Sequence, residues 1–239
     1  MKKYRCAILY HNYYSLSGLD DMRQRIGRMK NHNILLLASL PDKFSADPSL
    51  TESEDEKILF TTNLGKDIGG KLLLIDLVLK LYADIPYLIL LHDKRSYQKY
   101  SGGFEKEKLF RIIEPTNFDR ILDKFDSDTT TGIVCHNGSV RSEYDSSTKS
   151  FDTTNAALLQ SLQAQYDIKP KDYSFVAGTM FWVRTSIFAD FFGKYSPAAI
   201  RSTLEKGNVL DASGGTVTHT WERLLSWIAS ARGYKIQGI

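Results

Sequence analysis

Cysteine is scarce in this 239-residue sequence: Cys6 and Cys135 are the only two. They form no zinc-type spacing. Both sit in apolar, strand-like runs, YRCAILY and TGIVCHN, which predicts buried free thiols and a reducing compartment. Long apolar runs are absent as well. Crossing a bilayer takes about 20 apolar residues, and the longest candidate, 72–82, is interrupted by Asp76 and Lys80. The opening MKKYRCAILYHNYY carries two lysines, but its apolar part is short and runs into polar aromatics. It reads as a first strand and not as a signal peptide. Charge of one sign is not in excess: 31 Lys+Arg against 28 Asp+Glu give a formal net charge of +3. That balance argues against nucleic acid as the partner. It is compatible with a phosphate-bearing ligand or an anionic membrane surface, and demands neither. Together these absences predict a soluble, cytoplasmic chain with no transmembrane segment.

What is present is a chain 42% hydrophobic, long enough for one sizeable α/β domain. Strand-like runs at 5–10, 33–40, 57–62 and 87–91 are interleaved with helix-like segments at 18–31 and 71–84. The apolar strand runs follow the pattern of a parallel sheet covered by helices. In the second half, helices are expected at 115–125, 155–166, 186–195, 197–205 and 220–232. A strand is expected at 131–135, and 173–183 is an apolar, β-rich stretch. No repeat, low-complexity segment or convincing linker divides the chain.

Polar groups recur where the strands stop. His11 follows the first strand, Asn63 to Asp67 the third, His92-Asp93-Lys94-Arg95-Ser96 the fourth, and His136-Asn137 the next. Ligands of open α/β sheets bind outside the carboxyl ends of the strands, so several such ends at one edge point to a site. In NLGKDIGG, 63–70, glycines permit close backbone approach, and the first N–H groups of the following helix suit an anion. The stretch is neither a Walker-type phosphate loop nor the dinucleotide fingerprint. Phosphate contact and a plain tight turn with Asp67 as helix cap both stay open. At 92–96, Asp93 and His92 could ligate a divalent cation, Mn or Mg, although one carboxylate is a weak set. Lys94 and Arg95 could instead neutralise phosphate directly, or the segment is a solvated loop. Met180, Phe181 and Trp182 are most simply core, although Trp182 could border a pocket. Glu222, at a helix start, either complements the helix dipole or, facing the sheet edge, serves as a general base.

Taken in order, NLGKDIGG (63–70), LLHDKRS (90–96), AGTMFWVR (177–184) and THTWERL (218–224) resemble the motifs of the rhamnan synthesis F family of polysaccharide-assembly proteins. The resemblance extends across most of the chain, and four ordered motifs are far more specific than any one. Lys66 stands where the family pattern has Arg, and Gly70-Lys71 where it commonly has Pro-Phe. Lys66 keeps the charge but loses the bidentate fork. The layout also looks like a GT-A glycosyltransferase, with His92-Asp93-Lys94 in the place of that fold's acidic metal motif.

The resemblance implies an α/β, GT-A-like (Rossmann-like) single domain with a mostly parallel central sheet flanked by helices. Residues of about 1–100 would form the nucleotide-binding half and about 101–239 the acceptor half. It implies transfer of a sugar, such as rhamnose, from a dTDP- or UDP-linked donor to a growing cell-surface polysaccharide or lipid-linked glycan. His11, Asn63, Gly65, Lys66, Asp67, His92, Lys94, Arg95 and Ser96 would face the donor. Gly178, Thr179, Trp182 and Trp221 would lie on the acceptor side. Glu222 would be the base, with His219 and Asp93 as further catalytic groups, and the anomeric carbon would invert. A lipid-linked acceptor would bring the chain to the inner face of the cell membrane as a peripheral protein. A nucleotidyltransferase or phosphohydrolase would want acids clustered around a metal, and these strand ends are short of carboxylates. The missing acidic pair keeps open a non-catalytic glycan-binding or scaffold module.

Overall fold

The computed structural model describes residues 4–29, 32–93, 107–211 and 214–239. The first half comprises β1 (Cys6–His11), α1 (Leu16–Gly27), β2 (Ile34–Pro41), β3 (Glu56–Thr61), α2 (Lys66–Leu81) and β4 (Tyr87–His92). Then follow α3 (Pro115–Ser127), β5 (Thr131–Cys135), the short strands β6 (Val140–Arg141), β7 (Tyr144–Asp145) and β8 (Ser150–Phe151), and α4 (Ala156–Gln165). The chain closes with β9 (Phe175–Val176), β10 (Phe181–Arg184), α5 (Thr185–Phe192), α6 (Pro197–Ser202), α7 (Val217–Ala231) and β11 (Lys235–Gly238).

Seven strands form one sheet in the order β11-β5-β10-β4-β1-β2-β3. All neighbours are parallel except β10, which runs antiparallel to both β4 and β5. The architecture is α/β with a mostly parallel sheet between helices, compatible with a Rossmann-like fold. Every residue of β1 and β2 is buried, because parallel strands between two helical layers have no solvent face. Alternation along the strands sends Ala7, Leu9, Leu88 and Leu90 to a core shared with α2, α5 and α7. Cys6, Ile8, Tyr10, Ile89 and Leu91 face the opposite core, with α1 and α3. α3 opens on Pro115 and buries Phe118, Ile121, Leu122 and Phe125 along one stripe. Cys6 and Cys135 are buried free thiols, as their apolar surroundings predict.

Two segments depart from the sequence expectation. The helix expected at 71–84 begins at Lys66, so Gly69 and Gly70 are helical and not part of a ligand-facing loop. A Cβ on Gly70 would collide with the ring of His11, and one on Gly69 with the carbonyl of Leu64. These glycines let α2 lie close against the end of β1. The conformational freedom of glycine is needed one turn earlier, at Gly65, which precedes the helix with φ 73°. The second departure is β11, whose KIQG carries no apolar pattern. It joins the sheet edge through backbone pairing to buried β5.

The strand order positions the site. β1 passes through α1 to β2 on one side, whereas β3 returns through α2 to β4 on the other side of β1. Chain growth therefore reverses between β1 and β4, and such a switch point opens a crevice at the carboxyl ends of the strands. β1 and β4 end in register at His11 and His92. Because β10 is antiparallel, with Phe181 opposite Leu90, the Gly178-Thr179 turn leading into it arrives at this same edge.

The close approach of α2 to His11 gives a direct test. Gly70→Ala is expected to lower unfolding free energy by about 1–3 kcal/mol in urea titrations, the usual range for overpacking. Gly27→Ala, with nothing within 4 Å of the new methyl, is expected to be neutral or stabilising by up to about 1 kcal/mol. Equal responses at the two positions would contradict the packing.

Candidate functional site

Two adjoining cavities of about 180 Å³ each lie at the switch point. The first is bordered by His11 at the end of β1, by Tyr13 and Tyr14 just after it, by Asn63 after β3, and by Asp93 and Asn208. The second is bordered by Ile68, Gly178, Thr218, His219 and Glu222. Lys66, Asp67 and His92 belong to both and form the wall between them. A larger cavity of about 610 Å³ lies between α1 and the amino-terminal part of β2, with Arg23, Ile34 and Glu56 in its walls. It lies away from the strand ends where loops and helix N-termini converge, so we assign the site to the smaller pair.

Behind the shared wall, Lys71 is fully buried. Its Nζ donates to Asp67 Oδ2 at 2.9 Å and to Thr179 Oγ1, and lies 2.9 Å from His92 Nδ1. Thr179 Oγ1 in turn donates to Asp67 Oδ2 at 3.2 Å. Burial would raise the pKa of Asp67, but the charge of Lys71 and the proximity of His92 outweigh it and hold the carboxyl well below the ordinary range. Burial lowers the pKa of Lys71, with Asp67 opposing the shift. His11 is buried with Nδ1 2.8 Å from Ser39 Oγ. Burial brings its pKa down to about 4; Asp67 opposes this, while Lys71 and Arg201 add to it. His11 is therefore a neutral wall of the first cavity at pH 7.

The polar loops are held from several sides. Asp93 accepts the backbone N–H groups of Tyr13 at 3.0 Å and Tyr14 at 2.7 Å. Asn63 Nδ2 donates to the Tyr13 hydroxyl and to Asn208 Oδ1, each at 3.1 Å. Lys66 Nζ donates to the carbonyl of Val209 at 3.1 Å. In the second cavity, Glu222 Oε1 accepts the N–H of Gly178 at 2.5 Å, and Oε2 accepts from Arg223 Nη1 at 2.8 Å. His219 Nδ1 lies 2.5 Å from Thr216 Oγ1 and 3.9 Å from Asp211. Glu205 accepts the first N–H groups of α7, from Val217 at 2.6 Å and Thr218 at 3.0 Å, and so fixes the helix that presents His219 and Glu222.

Among the described residues the strand end is a poor set for a divalent cation. Asp93 brings a single carboxylate, which also accepts two backbone amides, and Asp67 is paired with Lys71. Among the described residues no group of three His, Cys, Asp or Glu could hold a metal, whereas Mg²⁺ or Mn²⁺ wants an oxygen-rich shell.

The expected site residues divide into three sets. His11, Asn63, Lys66, Asp67, His92, Asp93, Gly178, His219 and Glu222 border the paired cavities, and Gly65 caps the helix between them. Trp182, Trp221 and Thr179 do not face an acceptor. Trp182 is buried in the core against Phe118, its Nε1 donating to the carbonyl of Ile112. Trp221 is buried against Tyr166. Thr179 is buried on Lys71. The faces of β10 and α7 turn the two tryptophans into the core, and the turn before β10 sets Thr179 on Lys71 and Asp67. Lys94, Arg95 and Ser96 lie outside the described residues. Sequence reasoning missed Lys71, although a lysine four residues after Asp67 in an apolar helix was a visible signal. It also missed Asn208, which only the return of its loop to Asn63 brings in.

Fold and site thus define an α/β protein with a two-chambered polar groove at a sheet switch point. The chain belongs to the rhamnan synthesis protein F family, whose family model matches residues 1–234. That places it among proteins of polysaccharide assembly. No curated protein and no solved structure matches it. No helix among the described residues is long and apolar enough to cross a membrane.

Buried His11 and half-buried Asp67 set a pH dependence. Unfolded histidine titrates near about 6.5, and folded His11 near about 4. The unfolded chain therefore takes the proton first. Stability from neutral His11 is complete above about pH 6.5 and is lost as pH falls to about 4, by about 3 kcal/mol. The depressed Asp67 acts in the same direction at lower pH: its contribution is present above about pH 4 and is lost on further acidification. Urea midpoints followed from neutral to acid pH should show this decline. His11→Gln should flatten the upper part; unchanged curves would place the titration elsewhere.

Proposed function

We propose that the protein is a sugar-nucleotide-dependent glycosyltransferase of polysaccharide assembly, GT-A-like in layout, with its donor lying across the β1/β4 switch point. The observation that supports this reading most is the pair of cavities with Lys66, Asp67 and His92 in common. Glycosyl transfer needs a donor and an acceptor to meet at one bond, and adjoining chambers bring two substrates to a shared wall. The nucleoside of a dTDP- or UDP-sugar lies against Tyr13 and Asn63, which offer a ring face and an amide. The diphosphate lies toward Lys66 and His92, with Lys94 and Arg95 supplying further positive charge.

The sugar, rhamnose in this reading, reaches toward the second cavity, where the acceptor hydroxyl of a cell-surface polysaccharide or lipid-linked glycan meets Glu222. Glu222 accepts the hydroxyl proton as the acceptor oxygen bonds to the anomeric carbon. The carbon–oxygen bond to the diphosphate breaks, its electron pair leaves on the phosphate oxygen, and the centre inverts. A carboxylate offers about four acceptor directions, so Gly178 and Arg223 orient Glu222 without using all of them. His219, held by Thr216 beside Asp211, stands next to it. A lipid-linked acceptor places the reaction at the inner face of the cell membrane.

A second reading has its own observation. Both oxygens of Glu222 hold structure, the Gly178 turn and Arg223, which also suits a non-catalytic glycan-binding module. Calorimetry with dTDP and UDP, each with and without manganese, separates the two. The transferase should bind one diphosphate independently of manganese. Glu222→Gln should keep that binding while lowering transfer at least about 100-fold, the low end for general-base loss. Absence of diphosphate binding favours the scaffold, and retained transfer removes Glu222 as the base.

A further inference from the structure

We infer that Glu143, on the connection between β6 and β7, is a positioning residue for Glu222 that acts through Arg223, so that the short β6–β9 ribbon supports the second cavity. What Glu222 does there rests on the transferase reading above; how it is held follows from the contacts alone. Residues 222 and 223 are consecutive on α7. Consecutive helical residues point about 100° apart and do not face each other. Yet Arg223 Nη1 donates to Glu222 Oε2 at 2.8 Å, so the pair needs support from outside the helix. Glu143 supplies it. Nε and Nη2, the donors on one edge of the guanidinium, both go to Glu143, at 3.1 and 2.5 Å. Such a bidentate pair fixes the plane of the group. The ring of Phe175 in β9 meets that group 4.8 Å from Cζ. Nη1 is then held in one place, where it also donates to the carbonyl of His219 at 2.9 Å. The Arg223 side chain is only 8% exposed, so these contacts are its surroundings.

The contacts close into a ring. β6 pairs with β9, Val140 opposite Val176 and Arg141 opposite Phe175. The chain leaves β9 into the Gly178 turn, whose N–H donates to the other oxygen of Glu222. It leaves β6 toward Glu143, whose carbonyl accepts the N–H of Asp152 at 2.8 Å, beyond the β7–β8 hairpin. One ribbon thus reaches Glu222 twice: through the backbone of Gly178 on Oε1, and through Glu143 and Arg223 on Oε2. Either contact alone leaves the carboxylate free to turn about its last bond. The two together fix its plane at the border of the second cavity. Charge acts in the same direction. With Glu143 bound bidentately, Arg223 gives Glu222 a single N–H. Without the Glu143 charge, the fork is free to take Glu222 bidentately and draw it off Gly178.

Amide NMR of the full chain labelled with ¹⁵N tests this without any ligand. The Gly178 amide is the reporter, and its shift in Glu222→Gln marks loss of the carboxylate contact. In Glu143→Gln it should shift in the same direction. Its hydrogen exchange should quicken about tenfold or more, the factor that a hydrogen bond to a charged group represents. Glu143→Asp, which keeps the charge on a shorter arm, should recover part of the wild-type position. Ile34→Val, a mild loosening of the opposite core, should leave Gly178 where it is, so general destabilisation does not imitate the effect. An unmoved Gly178 in a folded Glu143→Gln overturns the inference. If that variant fails to fold, the wild-type guanidinium decides: a bidentately held Arg223 gives separate, slowly rotating Nη proton signals, and averaged signals overturn the inference. Titration with dTDP and UDP is a separate arm. The expected Gly178 shifts with no response to either diphosphate would leave the role of Glu143 standing and count against the transferase reading.

Discussion

An ammonium group buried where α2, β4 and the turn before β10 meet is the constraint on which the groove depends. Taking such a charge out of water costs several kcal/mol unless it is paired and fully hydrogen-bonded. Lys71 meets that condition only if Asp67, His92 and Thr179 hold their places together. Removing any one leaves a donor or a charge without compensation, so three separate segments are tied at one point. A buried pair of this kind adds little net stability. What it supplies here is placement: the end of β4 is locked to the first turn of α2.

The rest of the groove is arranged around that lock. Gly70 lets α2 approach His11, which puts Asp67 near the ends of both β1 and β4. Asp93 draws the Tyr13-Tyr14 backbone over the first cavity. On the other side, Glu205 fixes the start of α7, and Glu222 reaches from that helix to hold the turn at Gly178. Gly178 and Thr179 both have positive φ, 81° and 49°. A non-glycine residue there is unusual, and the turn is held by Glu222 at one residue and by Lys71 at the next. The two chambers thus share a rigid wall.

Much of the architecture was legible in the chain. Apolar runs with no solvent-facing alternation marked parallel strands, and polar residues at their ends marked the edge that carries the site. That His11, Asn63, Lys66, Asp67 and His92 gather at this edge was readable because the position of a strand end is a local property, whereas Glu222 lies on α7 and only the fold brings it there. Trp182 and Trp221 were assigned to the acceptor side because motif position says nothing about which face a side chain takes. β11 was not legible because an edge strand can pair through its backbone alone. The start of α2 was misplaced because paired glycines ordinarily signal a turn, and here they are shaved surfaces of a helix.

By itself the sequence determined the class of fold, the family and the edge of the sheet where polar groups gather, since hydrophobic runs and ordered motifs are local patterns. Tertiary structure alone decided which of the polar groups meet. Asp67 and Thr179 are 112 positions apart, and the burial that makes Lys71 their common partner exists only once helix, strand and turn have closed over it. A lysine is ordinarily a solvated cation; its meaning here was set by the burial that left it these three partners.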